Sequence, residues 1–470
     1  MGHERTPPGC FGLAALGLAL VLAVSTSDAA PRPAAAPALA APPPSSHCIY
    51  DEGTEAKMAP RATPASAATA APAAPRLNLL SMVQEAIRRS NAVGAAKLLT
   101  EAAQDEIGEA KAGGLPTVSL NGQAGAMTVG SPGVPTTHGA QVQGGVTLQA
   151  PLYDFGRVHE LAAWRTSLAE AARQGEISAQ EQVALQTVSL ALDRSRYAVE
   201  SQVYEQYSHK MSCLVDALQQ IVAVDKGRQS ELVQARKTEQ QAELARDQTL
   251  SLERQTEIKL RRFVGDNLPP TDGITSVMLD TPPLPDLLAV AARSSDIQQL
   301  GAQANALESY VRAVLDGQRP QLGWLLSGTK TGGAGPSHSV TGGVTFSVPL
   351  YAPSDDYTAN AARKRAAAAA LQRADALEAR ESRMREVHEQ ATHSMERAHQ
   401  VVDILHNSDL VRNYTLQQWQ QLGRRSLFDV MAAEGDHYSM RVQYVDALYD
   451  TQQSNALLWS LGLGLAVHLE

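Results

Sequence analysis

The chain has 470 residues, a formal charge of −9 and only 4 % aromatic residues, with five Phe among them. So few large rings cannot fill several globular cores, and the acidic balance gives no footing for nucleic acid. Outside the Gly-rich stretches Ala, Gln, Glu, Arg and Leu dominate, the composition of long helices and coiled coils.

The first apolar run, Phe11 to Val24, follows Arg5 and is followed by small residues. It is too short to span a membrane and predicts a signal peptide over residues 1–30, cleaved near Ala29 or Ala30. No Leu-x-x-Cys pattern closes the run, so no lipid anchor is expected. From Pro31 to Pro75 the chain holds ten of its 25 prolines among Ala, Ser and Thr. This Pro/Ala-rich segment, residues 31–76, cannot bury a core and is expected to be disordered or extended. Cys10, Cys48 and Cys213 are too scattered to suggest a disulfide framework.

Two similar halves follow, residues 77–272 and 273–470. Gly144 to Arg157 reads GGVTLQAPLYDFGR, and Gly342 to Asp355 reads GGVTFSVPLYAPSD. One unit used twice restricts the fold more than any local motif does. Each half opens with helical spacing, Leu77 to Gly113 and Leu287 to Gly317, each stopped by Gly with Pro three residues on at Pro116 and Pro320.

Each half then turns to period two. Pro116 to Pro151 contains no Asp, Glu, Lys or Arg; Val118, Leu120, Val142, Val146 and Leu148 alternate with Ser, Thr, Asn and Gln. In the second half Leu322, Trp324, Leu326, Val340, Val344 and Phe346 do the same. Four strands of about ten residues are predicted, the length that crosses a bilayer when tilted. A soluble sheet and a transmembrane barrel both fit the alternation, and the uncharged wet face favours the barrel. Pro151 and Pro349 mark where strands stop, with Tyr153, Gly156 and Tyr351 in the turns into the next segments.

Two helical segments of about 110 residues come next, Asp154 to Val264 and Ser354 to Gly464. Each has one break, at Gly227 and at Gly423. Each is a helical hairpin or a pair of helices meeting end to end, with arms of about 50 residues reaching about 75 Å. Four membrane strands cannot close a barrel, and an open edge in lipid leaves backbone groups unsatisfied, so the chain must associate.

The order of helix, strand pair, PLYD-x-G-R turn and Gly-broken helical hairpin, repeated once, resembles the TolC-like outer-membrane factors of Gram-negative bacteria. The resemblance runs from Leu77 to the C-terminus. It implies a mixed α/β membrane protein of channel-tunnel fold: a homotrimer whose four strands per protomer make a 12-stranded outer-membrane barrel, continued by a long periplasmic α-helical barrel. It further implies docking of the helical tips, Gly227, Gly423 and Glu231, on a periplasmic adaptor protein served by an inner-membrane pump. The family's gate pattern G-x-R-x-x-x-D-x-x-D is met by Gly423, Arg425 and Asp429, with Ala432 at the second Asp position. One carboxylate ring is then expected at the periplasmic gate where relatives carry two, with Arg425 latching an acidic residue such as Glu231. Arg425 and Asp429 also read as an ordinary i, i+4 surface pair.

Within the family the chain resembles the outer-membrane component of a type I system that secretes an adenylate cyclase toxin, implying an ABC transporter as the pump and a polypeptide as cargo. Small-molecule efflux on the same architecture is the alternative, and a secreted coiled-coil interaction protein is a third reading from another class. No enzyme, cofactor or metal is expected. His388 and His393 are five residues apart, about 140° round a helix, so they cannot share a metal from one face. Gly328 to Gly335 lacks the GK[ST] of a phosphate loop, and Arg363-Lys364-Arg365 opens a helix suited to solvent or a membrane edge.

Overall fold

The computed structural model describes residues 73–470 except 272–273, 275–276, 334, 423–424, 463 and 470. The signal peptide, nearly all of the Pro/Ala-rich segment, and Gly423 therefore lie outside the described residues.

Each half begins with two helices where the periodicity suggested one. In the first, α1 (Ala73–Arg89) and α2 (Asn91–Ala112) are separated at Ser90, whose extended backbone breaks the helix and whose Oγ accepts the Val93 N–H. In the second, α5 (Leu284–Val290) and a 3-10 turn meet α6 (Ser295–Gly317) at Ser294, whose Oγ donates to the Ala291 carbonyl. A lone serine leaves the apolar spacing intact, which is why the break does not show in the pattern. Gly113 stays right-handed at φ −59°, and α6 runs through Gly317. The stop at both places comes from the proline that follows, not from a left-handed glycine.

Four antiparallel strands form one sheet in the order β1 (Thr117–Ser131), β2 (Val134–Tyr153), β3 (Gln321–Gly333) and β4 (Ser337–Ser347). At 15, 20, 13 and 11 residues they exceed the predicted ten. The first proline does not end its strand: β2 pairs Pro151 with Gly323 and bulges before Tyr153. Proline is tolerated there because the ladder is already irregular. β4 does end before Pro349.

The register explains the alternation. Val118 faces Leu148, Leu148 faces Leu326, and Leu326 faces Gly342; Leu120, Val146, Trp324, Val344 and Phe346 fall in the same set. Directly opposed residues share a face, so the even-numbered positions make one surface across all four strands, aliphatic toward the helices and carrying Lys330, His138 and His338 toward the hairpin loops. Leu120 and Val340 are about four-fifths exposed on it. The opposite face carries Ser, Thr, Asn and Gln, tied locally by Thr329 Oγ1 to Ser339 Oγ at 2.7 Å, with Met127 and Leu325 its large apolar exceptions. β1 and β4 are each paired on one side only.

The helical segments are hairpins, and their arms are unequal. α3 (Arg157–Val224) has 68 residues and α4 (Gln229–Val264) 36; α7 (Pro353–Gln417) has 65 and α8 (Leu427–Leu461) 35. At 1.5 Å per residue the long arms reach about 100 Å and the short ones about 50 Å. α4 lies along the half of α3 away from the sheet, while α2 and α6 flank the half beneath it; α6 also packs on α7, and α3 on α8. An apolar cluster of Leu79, Val83, Leu192, Leu260, Tyr449 and Ala456 binds both halves together. A second cluster, with Leu218, Leu232, Trp419, Leu427 and Val430, joins the two hairpins at their far ends. Cys213 on α3 is disulfide-bonded, although the cysteine spacing suggested no framework.

Arg380 fixes the second half. Its guanidinium donates to the Leu461 carbonyl at 2.7 and 3.0 Å and pairs with Asp296, so one side chain ties α7 to the end of α8 and the start of α6. Beyond it α9 (Leu465–Leu469) folds back, with His468 stacked on Trp459 at 3.8 Å. Arg380→Met is expected to destabilise the protein by about 2 kcal/mol, the scale of hydrogen bonds made by a charged group. Arg380→Lys should recover less than half, since one ammonium cannot span the same fork. Helix circular dichroism during urea unfolding in detergent checks both.

Candidate functional site: strand turns and helical tips

The first strand-to-helix turn is built by Asp154. Its carboxylate accepts the N–H groups of Gly156 at 3.1 Å and Val158 at 2.7 Å, capping α3. To reach that geometry Phe155 and Gly156 both take positive φ, 56° and 93°. A side chain at Gly156 would meet little, so glycine is needed there for its backbone and not for space. Tyr153 packs edge-on against Phe155 at 4.7 Å, and Arg319 lies over the Phe155 ring.

The second turn solves the same problem differently. Ala352 replaces the capping Asp, no side chain caps α7, and Pro353 starts the helix with its φ preset. Leu350 is 95 % and Tyr351 90 % exposed in this subunit, against 55 % for Tyr153 at the corresponding corner. The role of Asp154 was missed from sequence, although an Asp two residues before a Gly at a helix start signals it.

At the first helical tip Asp225 Oδ1 accepts the Gly227 N–H at 3.0 Å, and a Cβ on Gly227 would stand 3.1 Å from that oxygen. Glu231, in the first turn of α4, pairs with Arg228 at 3.1 Å. At the second tip α7 widens into a π-turn, Gln418–Leu422, and α8 restarts from Ser426. Ser426 and Asp429 form a capping box: Ser426 Oγ accepts the Asp429 N–H, and Asp429 Oδ2 accepts the Ser426 N–H. Arg425 donates to Gln418 at 3.2 Å and lies 3.9 Å from Asp429, both charges about half exposed. Arg425 and Asp429 are thus brought together, and Glu231 keeps its partner within its own hairpin. Leu427 and Val430, beside Asp429, are buried in the tip cluster, so the carboxylate stands on a packed base. The Ser-x-x-Asp of that box was readable in the sequence and was passed over.

Residues 82–266 match the family model described as outer membrane efflux protein. Among solved structures, the chain is similar to the transmembrane channel CusC at 13 % identity and a TM-score of 0.73, covering 82 % of this chain and 92 % of that one. It is similar to the outer membrane protein VceC of Vibrio cholerae at 16 % identity and 0.71, covering 83 % and 97 %. The open state of the MtrE outer membrane channel of Neisseria gonorrhoeae matches at 14 % and 0.68, covering 83 % and 89 %. No curated protein matches the chain.

The fold is that of a TolC-like outer-membrane factor. The first repeat alone carries the match to the outer membrane efflux protein model, while the likeness in fold to these outer-membrane channels extends over both repeats. No described helix is long and apolar enough to cross a membrane, and the aliphatic face of the sheet is exposed in the subunit.

The capping box lets charge and cap be separated. Asp429→Asn keeps an oxygen for the Ser426 N–H, while Asp429→Ala loses it. Asp429→Ala is expected to cost about 1 kcal/mol and Asp429→Asn clearly less. Urea midpoints of the two variants, measured side by side, check this.

Proposed function

We propose that three copies of the chain close into a conduit that passes a polypeptide across the periplasm and outer membrane, working with a periplasmic adaptor and an inner-membrane ABC transporter. The observation that carries the trimer is the pair of one-sided edge strands, since lipid offers no hydrogen bonds to an open edge. The resemblance to TolC-like outer-membrane factors supports a trimer working with such partners. The polypeptide cargo is supported by resemblance to a toxin-secretion component, and the family description favours small-molecule efflux as the second reading. In a strain lacking the gene, loss of a protein from the medium with unchanged drug susceptibility supports the first. Drug sensitivity with intact secretion supports the second.

The repeat sets the register between copies. Val118 opposite Leu148 in the first hairpin corresponds to Leu322 opposite Phe346 in the second. The pairing of Val146 with Gly328 between the halves then becomes Val344 with Ala124 of the next copy. Val344→Cys with Ala124→Cys should oxidise to a covalent trimer seen on a denaturing gel. Thr345→Cys with Ala124→Cys, on opposite faces, should stay monomeric. Equal cross-linking of both pairs, or of neither, would remove the closed barrel.

In this trimer Asp429 supplies a single ring of three carboxylates at the tip, with Ala432 where a second ring would stand. Multivalent cations are expected to block conductance in planar bilayers, and Asp429→Asn to abolish that block at least tenfold in affinity. An unchanged block would take Asp429 out of the conduction path.

A further inference from the structure

The two hairpins meet mainly where α3 packs on α8. Most of that seam is apolar, in the cluster around Leu192 and Tyr449 near its middle and the cluster around Leu218 and Leu427 at the tip. Between the two lies a charged knot. Arg196 on α3 donates to Glu200 at 2.7 Å, to Asp446 on α8 at 2.5 Å and to Asp450 at 3.3 Å. Arg397 on α7 reaches Asp450 from the other side at 3.2 Å. Three carboxylates thus face two guanidiniums. Glu200 is only 7 % exposed, and one guanidinium, that of Arg196, gathers its carboxyl and that of Asp446 together. Carboxylates crowded round one partly buried guanidinium repel one another, and a proton on one of them relieves that repulsion. The knot is then neutral, and without the proton it carries one buried negative charge in excess.

Every element packed there takes part. From α3, Tyr197 and Tyr204 face the acidic pair, and Asp193 sits two turns above, held by Gln453 of α8 at 3.0 Å and near Lys259 of α4. From α8, Tyr449 hydrogen-bonds Ser195 at 2.7 Å. The only cations on the acidic pair and Asp450 among the described contacts are Arg196 and Arg397. Neither has slack to take up a further charge.

We propose that the Arg196–Glu200–Asp446 knot is a proton-operated coupling between the two hairpins. It holds their lower halves together while Glu200 carries a proton, and loosens them when the proton leaves. Burial first, and then the Asp446 carboxylate, push Glu200 from its ordinary 4.5 up to about 7. With the folded value raised, the contribution is complete below about pH 4.5 and declines as pH rises through about 7. If the loosened state returns Glu200 to its ordinary value, the population of that state rises about tenfold between pH 6 and pH 8. The two tips belong to these same hairpins, so the coupling rests on the proposed conduit only for its consequence at the gate.

The test is hydrogen exchange on the assembled protein in detergent, corrected for intrinsic rates, following residues 197–222 and 430–445. Wild type is expected to exchange about tenfold faster at pH 8 than at pH 6 in both stretches, and Glu200→Gln to stay at the pH 6 level throughout. The same rise in Glu200→Gln, or a flat wild type, overturns the coupling. If Glu200→Gln fails to assemble, Asp446→Asn decides: with one carboxylate gone, Glu200 ionises beside Arg196 below this window and exchange should again be flat, whereas a wild-type rise refutes the proposal. Bilayer conductance over the same pH range is read in parallel. Exchange that responds while conductance does not leaves the coupling standing and removes the tips from the conduction path.

Discussion

Backbone hydrogen bonding in lipid governs this molecule. A four-stranded sheet with one greasy face is stable in a bilayer only if its two bare edges find partners, because each unpaired N–H or C=O there costs several kcal/mol. The strand order β1-β2-β3-β4 leaves such an edge at either end. In the proposed channel, the association of chains, the shape of the lumen and the alignment of the helices beneath it follow from satisfying those two edges. The helical part follows the same logic at a distance, since α2 and α6 lie directly beneath the sheet and flank the upper half of α3.

The two halves share a plan and differ in their solutions. Both interrupt their first helix at a serine, both turn from strand to helix beside a Pro-Leu-Tyr, and both end in a hairpin with one long and one short arm. The first turn uses an Asp cap and two left-handed residues; the second uses a proline. The first tip is closed by a 3-10 turn and the second by a π-turn. A duplicated unit that must lie beside itself round a ring keeps its packing surfaces and is free to vary its corners. Tyr153 rests one edge on Phe155 and stays about half exposed, whereas Leu350 and Tyr351 are almost fully exposed at the corresponding corner.

Much of this was legible in the residues. Period two over uncharged stretches gave four strands and their faces, and the Gly-broken helical segments gave the hairpins, because both signals repeat over many positions. Single-residue events were not legible: Ser90 and Ser294 break helices without disturbing the apolar spacing, and β2 passes Pro151 by way of a bulge. The break at Gly227 was found, but the inequality of the arms was not weighed, although the lengths on either side of that glycine display it. Glu200 and Asp446 lie 246 positions apart, so nothing local in the chain brings their carboxyls together. The same holds for Arg380 and the carbonyls it gathers at the end of α8.

The continuous register across the sheet also limits where its hairpins can take insertions. From Val118 to Leu322 the two copies are 204 positions apart, and from Leu148 to Phe346 they are 198 apart, so the first hairpin has an excess of six residues. Parity matters only inside the ladder: an odd insertion within a paired stretch, unless a bulge resets the count, would turn glutamine and threonine onto the aliphatic face along the rest of that strand. The unpaired apex of each hairpin carries no such restriction and can lengthen by any number, as the one-residue shift between Val129 and Ser131 beside the first apex shows.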